Sequence, residues 1–487
     1  LRGYRMSAQV GFPKELSPEI DYQLPEGVNS YNLRVVPSNV SSVVSTTQTL
    51  TASSTLQLNG TSTNIIFDLP CSGGRGVHLD PRFSLLNFRV VYTVPSGASS
   101  AIITTARLRS HAMAFFDRMF ITSQSGAILE DINLYGMVND IVVATEIDVS
   151  QRDVLAAAYG FAYEGQSTNS LNRNAGHTIA GIHGTTLSAA VNVFYSYSVP
   201  ILSSLLGKGA NRMFNIGSTN RLQLTLQTSS ILPITFVTST ASTAATFNCT
   251  IDNISLGLQY VDVGANGMRL LGKGGMQFYN GLTWRVSATS LAAGVSGAVS
   301  ILTGLKGSSV RTCGLRVCEA STLSTAGCIN GVFDSKCPQA TALSWNINGQ
   351  LFPSNPINPL HNPAQLFMQT QQALSNFNSY EWKCGLVPSQ YFVFIAGGVL
   401  PTDSDRVFTD SGSASSADAQ AQFHWFYSLE KVAKAAIMDG ANLNSGQTYL
   451  NAQIQNGSTN ALTYFFIAKM DVVYMLDPVS GEITVRM

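Results

Sequence analysis

The sequence predicts an all-β chain in two halves, each a sandwich or barrel. Three observations carry this. β-branched and aromatic residues dominate the apolar segments, and many segments alternate apolar with polar, the period of a strand with one face buried. The stretches between them are rich in Gly, Ser, Thr, Asn and Pro, which punctuate strands. A glycine-rich break near mid-chain, Gly264–Gly275 (GANGMRLLGKGG), separates one strand region from the next.

The clearest strand candidates are Asn87–Val94 (NFRVVYTV), Leu222–Gln227 (LQLTLQ), Ile254–Val263 (ISLGLQYVDV) and Thr283–Ala288. Several such strands spaced by turns indicate a sandwich or barrel. Two short helices are predicted between strands. Asp148–Tyr159 (DVSQRDVLAAAY) has Ser150 as its candidate N-cap. Pro363–Phe377 (PAQLFMQTQQALSNF) has proline well placed for a first helical turn. There Leu366, Phe367, Thr370, Ala373, Leu374 and Phe377 share one face. Leu1–Ser30 reads as an extended arm, with Pro13, Pro18 and Pro25 blocking regular structure. The organisation predicted is an arm over 1–30, a first barrel over 31–265, a linker over 266–275 and a second barrel over 276–487. Each barrel segment is long enough for a jelly roll with large loops. Ser411–Ala421 (SGSASSADAQA) is a low-complexity loop in the second.

Charged residues make up 11% of the 487 residues, against a usual ~25%. Ser, Thr, Asn and Gly take their place. Such a composition fits either a protein that hides much of its surface against copies of itself or a surface protein with a neutral polar coat. The net charge is zero and no run of Lys and Arg occurs, which argues against direct packaging of nucleic acid. Leu1–Leu24 is charged and lacks the apolar core of a secretory leader. The apolar runs, such as Tyr391–Ala396, are strand-sized, far short of the ~20 residues of a membrane span.

The motifs of catalysis are each incomplete. Gly267–Gly274 (GMRLLGKG) resembles a phosphate-binding loop, but Gly274 stands where the magnesium-binding hydroxyl belongs and no helix follows. None of His78, His111, His177, His183, His361 and His424 forms an HExxH pair. His177 and His183 flank a glycine-rich loop (HTIAGIHG) that reads as solvated, or as a weak metal site. Asp403, Asp405 and Asp410 share a loop without the glycine of an EF-hand. No G-x-S-x-G elbow occurs. Glu130–Asp131 and Glu146–Asp148 read as solvated edges of predicted elements. The cysteines are Cys71, Cys249, Cys313, Cys318, Cys328, Cys337 and Cys384, without a CxxC pair. They read as free thiols, or as holding a disulfide within Cys313–Cys337. Sequons at Asn39, Asn59, Asn248, Asn253 and Asn456 are no more than so Asn- and Ser-rich a chain contains by chance. No catalytic, cofactor or metal residue is assigned.

An ordered series of segments resembles one family. Phe116–Val143 (FDRMFITSQSGAILEDINLYGMVNDIVV) is similar to a strand, a short turn and an acidic-aromatic helix. In that reading Ile128, Leu129, Ile132, Tyr135 and Val138 pack inward while Glu130 and Asp131 stay wet. Val199–Gln227 is similar to an apolar stretch, a glycine turn and an alternating strand, with Asn215 and Ile216 where proline is common. Thr250–Val263 looks like the closing strand of a first jelly roll. Ser344–Pro359 (SWNINGQLFPSNPINP) and the helix after it resemble an "ING-x-x-x-P" segment. Phe423–Gly440 resembles a strand with a Leu-Glu-Lys step, and Phe465–Val485 a final pair of strands with a "G-x-I-x-V" ending. From about Tyr31 to Met487 the chain thus resembles the double jelly-roll major capsid proteins of virophages, polinton-like viruses and adintoviruses, and more distantly those of large nucleocytoplasmic DNA viruses.

The resemblance implies two consecutive jelly-roll barrels with short inserted helices, and a structural rather than enzymatic role. It implies a homotrimer with six barrels, a pseudohexameric tile in an icosahedral virion of a double-stranded DNA virus. Neighbouring capsomers and minor capsid or penton proteins would be its partners, without sequence-specific binding of nucleic acid. Contact with an internal membrane is left open. Asn169–Gly184 and Cys313–Cys337 are the candidate tower loops, and Leu1–Ser30 the candidate clasp between tiles. The rivals are a single-jelly-roll minor capsid protein and a carbohydrate-binding sandwich using Trp284, Trp345, Trp382 or Trp425. All four tryptophans lie in alternating apolar segments, which favours core packing.

Overall fold

The computed structural model describes residues 44–51, 56–57, 62–69, 71, 76–94, 106–108, 110–147, 149–161, 176–177, 179, 190–210, 212–236, 248–262, 276–320, 331–374, 391, 422–430, 439–454, 458 and 460–487. The arm over 1–30, the break over 266–275, the loop 411–421, and His183, Cys328, Trp382, Cys384, Asp403, Asp405 and Asp410 lie outside the described residues.

The first half contains β1 (Val44–Thr51), β2 (Leu56–Gln57), β3 (Asn64–Leu69), β4 (Val77–Val94), β5 (Ala106–Leu108), β6 (Phe116–Ser123) and β7 (Ile128–Asn133). Two helices follow, α1 (Tyr135–Glu146) and α2 (Val149–Tyr159). Then come β8 (Val191–Pro200), β9 (Leu222–Thr228), β10 (Ile234–Phe236) and β11 (Asn248–Asp262). Two antiparallel sheets run in the orders β1-β11-β4-β8 and β3-β9-β6-β7.

The second half contains β12 (Gln277–Leu291), β13 (Gly297–Leu302), β14 (Val310–Glu319), β15 (Ala340–Ile347) and β16 (Gln350–Ile357), then α3 (Pro363–Leu374). It ends with β17 (Trp425–Ser428), β18 (Thr448–Ile454), β19 (Leu462–Leu476) and β20 (Ile483–Arg486). Its sheets run β12-β19-β14-β17 and β13-β18-β15-β16. Leaving aside short β2, β5, β10 and β20, both halves have one topology. The first strand pairs with the eighth, the eighth with the third and the third with the sixth; the opposite sheet runs second, seventh, fourth, fifth. That is the jelly roll, twice. Each half also carries a helix directly after its fifth strand, α1 after β7 and α3 after β16.

Asn87–Val94, Leu222–Gln227 and Thr283–Ala288 fall inside β4, β9 and β12, and the predicted closing strand forms β11 as far as Asp262, with Val263 outside the described residues. The Asn348-Gly349 pair of "ING" has φ of 51° and 85° and joins Ile347 to Gln350. Positive φ at both central residues is the type I′ hairpin turn, which asparagine and glycine tolerate best. Both predicted helices form over their described residues, Val149–Tyr159 and Pro363–Leu374, with Asp148 and Phe377 outside them. Pro363 opens α3, whose Leu366, Thr370 and Leu374 are buried. Ser150 lies inside α2 rather than at its cap, because the helix starts at Val149.

Other expectations are corrected. Glu130 and Asp131 lie on a strand, β7; the helix begins after Leu134, whose φ of 50° makes the turn between them. Ile128 points out, where a register shift interrupts pairing with β6. Cys313–Glu319 belongs to β14 and Cys337 is buried, so these parts of the proposed tower loop are core. Gly176 and His177 of the other tower candidate bond to the backbone of Leu108 and Gly160, and His177 is buried rather than solvated. Its Nε2 lies 2.6 Å from the Tyr197 hydroxyl.

One continuous core fills the first barrel. A second core, with Trp345 and Trp425 at ring centroids 5.5 Å apart, fills the other. Trp284, Trp345 and Trp425 are all buried, as their alternating segments predicted.

Candidate functional site

Among the described residues no three His, Cys, Asp or Glu side chains converge as metal ligands. Cys313 and Cys337 are buried free thiols rather than a disulfide, and burial pushes the Cys313 thiol up to about 12. The chemistry concentrates instead along the seam where the two barrels meet.

The seam is built from the outward face of the sheet β12-β19-β14-β17. Its inward face, with Leu315, Val317, Tyr464 and Phe466, packs the second core. Its outward face, with Trp284, Phe426, Phe465 and Ile467, joins the core of the first barrel. Trp284 and Phe426 meet edge-on, 6.2 Å between centroids. A sheet covered on both faces reads as a near-continuous apolar run. Hence β19 is buried from Leu462 to Ala468 without alternation. The first barrel contributes β7, the helix α1, buried from Tyr135 to Thr145, and the loop after β8.

Glu130 on β7 sits at the centre of the seam, 0% exposed. Its Oε2 accepts from Ser203 Oγ at 2.5 Å. Its Oε1 accepts from Ser204 N at 2.8 Å, Ser204 Oγ at 2.6 Å and, across the seam, Thr283 Oγ1 at 2.9 Å. Ser204 Oγ spends its proton on Glu130, so at 2.6 Å it accepts from Tyr474 of the second barrel. Burial pushes the Glu130 carboxyl above its ordinary range, and the serine and threonine donors pull it back. The reading of Glu130 as solvated is thereby corrected. An acidic residue on an edge strand is wet only if nothing covers the edge, and here β12 does. Its neighbour Asp131 stays partly exposed, gripped by Arg118 at 2.7 and 2.8 Å.

A second polar contact crosses the seam deeper in. Arg316 Nη1 of β14 lies 2.9 Å from Asp140 Oδ2 of α1, both buried. Ser110 Oγ donates to the other carboxylate oxygen at 2.5 Å. Burial works against the Asp140 charge, but Arg316 leads the groups that outweigh it and hold the carboxyl below its ordinary range. Burial also pulls the nearby His424 down to about 3, helped by Arg316, so its ring is neutral at physiological pH.

Backbone contacts complete the seam. Leu282 N donates to Gly209 O at 2.9 Å, and a Cβ at Gly281 would run into the Ser204 carbonyl. Asn215 N donates to the Tyr279 hydroxyl at 3.2 Å and Asn215 Nδ2 to Gln277 Oε1 at 3.1 Å. Asn215 thus makes two bonds that a proline at this position could not. Asn220 bonds at 3.1 and 2.9 Å to the carbonyls of Gly481 and Ser480.

Neither a family model nor a curated protein matches the sequence. Solved structures match the fold. The mavirus major capsid protein superposes with a TM-score of 0.53 at 12% identity, over 95% of each chain. PBCV-1 VP54, as fitted into a reconstruction of the virophage Sputnik, gives 0.54 at 9% identity, over 92% of this chain and 97% of that one. A chain of the Sputnik virophage particle gives 0.51 at 12% identity, over 91% and 88%. By sheet order and by these superpositions, the chain has the double jelly-roll fold and shares it with viral chains that include a major capsid protein.

Proposed function

We propose that this chain is a virion major capsid protein whose trimers form pseudohexameric capsomers of an icosahedral double-stranded DNA virus. One observation carries the reading: two jelly rolls of identical strand order packed side by side, in a fold shared along nearly the whole chain with the mavirus major capsid protein. A jelly roll satisfies most of its strands internally and leaves short edges, so it tiles without open sheet growth. Three two-barrel chains joined head to tail close a ring of six near-equal units. The low charge content, 11%, suits surfaces hidden against other copies. The chain then divides into a clasping arm over 1–30, barrels over 31–265 and 276–487, and a linker over 266–275. Neighbouring capsomers and minor capsid or penton proteins are its partners.

The rival readings are weaker. A minor capsid protein of this kind would have one jelly roll, and this chain has two. A carbohydrate site built on Trp284, Trp345 or Trp425 has no accessible ring, since all three are buried. Electron microscopy of the purified protein tests the proposal. Hexagonal particles with six lobes are expected; uniformly two-lobed single chains would overturn it.

A further inference from the structure

The relation between the barrels inside one chain has an uncovered counterpart on each side. In the second barrel the sixth strand, β17, turns Phe426 outward into the seam, where it is 0% exposed. In the first barrel the sixth strand, β8, turns Phe194 outward, and it is 65% exposed. Phe194 lies opposite Val91 of β4, with Arg89 opposite Ser196, Asn87 opposite Ser198 and Leu85 opposite Pro200. These β4 residues face out, because Leu86, Phe88, Val90 and Tyr92 between them fill the core. Leu85 is 38% exposed. The Arg89 guanidinium lies 5.6 Å from the Phe194 ring centroid and bonds to both Asp252 oxygens at 2.7 and 2.6 Å.

The other half of the relation is the fifth strand and the helix after it. In the first barrel α1 is buried from Tyr135 to Thr145, because its own barrel lies on one side and the second on the other. In the second barrel β16 is exposed along most of its length, with Leu351 at 41%. Its helix α3 leaves Ala364, Gln365 and Gln372 in solvent.

We infer that the outward face of β4 and β8, centred on Phe194, receives β16 and the exposed side of α3 from a second copy of this chain. The seam within one chain then recurs between chains. This rests on the capsomer reading and adds which faces meet. A head-to-tail contact closes a ring when the same relation repeats around it, and the internal seam fixes what that relation is. The chemistry differs in the expected direction. The internal seam forms as the chain folds, so it buries Trp284, Phe426, Phe465 and Ile467 along with the Glu130 and Arg316–Asp140 contacts. The outer face stands in water until assembly, so it carries short polar residues around a few apolar anchors, as interfaces between separately folded partners do.

Two variants test the faces. Copies carrying Phe194→Cys are co-expressed with copies carrying Leu351→Cys and treated with a short bis-maleimide. A cross-linked pair at twice the chain mass, absent from either variant alone and from wild type, is the expected product. Phe194→Glu should keep the wild-type circular dichroism, since the ring packs in no core of its own chain, while its mass in solution falls threefold to that of a single chain. If the mixed cysteine variants give no cross-link while trimers persist in Phe194→Glu, the assignment of faces is overturned and the capsomer reading stands. A wild type that never exceeds one chain would overturn both.

Discussion

Replacing Arg316 by methionine should cost the fold much of its stability at neutral pH and little at acid pH. Arg316 is fully buried and its Nη1 reaches Asp140 at 2.9 Å across the seam. Methionine fills similar space but leaves the buried carboxylate with the Ser110 hydroxyl and the nearby His111 ring to oppose its burial. Breaking one side of a buried pair costs about 3–5 kcal/mol. In wild type the Asp140 carboxyl is held below its ordinary value, so the folded chain binds fewer protons there than the unfolded one. Its contribution is complete above the unfolded pKa of about 3.9 and is lost as pH falls through the folded value. In the variant burial acts without the guanidinium, the folded pKa rises above the unfolded one, and stability is lost as pH rises through it. The penalty should therefore shrink as pH falls from 7 towards 4. Urea titration at both pH values, read as midpoint shifts at constant slope, measures it. The double variant Asp140→Leu/Arg316→Met should recover most of the loss, because two apolar residues of similar volume leave no stranded charge. A single variant within about 1 kcal/mol of wild type at pH 7, or equally destabilised at both pH values, would refute the role of the pair.

Three further outcomes are expected. Glu130→Ala strands the Ser204 N–H and the Thr283 hydroxyl; at about 1–3 kcal/mol for each unpaired donor, less the burial of the charge, urea unfolding should show a loss of about 2–4 kcal/mol. Deleting Leu1–Ser30, a segment with Pro13, Pro18 and Pro25 and no periodicity, should leave the unfolding temperature nearly unchanged while blocking the joining of capsomers; shells that close normally without it would contradict the clasp. Elemental analysis of pure protein should find no stoichiometric zinc, since the sequence lacks paired ligands at short spacing and the described residues bring no three together.

The fold was legible where one face of a strand meets solvent. Asn87–Val94, Leu222–Gln227 and Thr250–Val263 alternate because each lines a single core, and they became β4, β9 and β11. It was less legible at the seam. β14 and β19 are buried on both faces, so the alternation that marks a barrel strand is missing there. Glu130 was misread for the same reason. Its acidic neighbour and edge position suggest solvent, and only the covering strand, with Thr283 on it 153 residues further along, turns the site into a buried hub. A local signal did exist: a serine pair, Ser203-Ser204, beside two leucines in a glycine-flanked loop supplies hydroxyl donors that an apolar loop has no other use for. His177 was likewise hidden, because its partner Tyr197 lies on the next strand and the glycines around it suggest an open loop.

The most direct test of the central claim is the mass of the purified protein in solution. Multi-angle light scattering at micromolar concentration and neutral pH should give three times the 52.0 kDa of one chain. A single species of 52.0 kDa under those conditions would contradict the capsomer account.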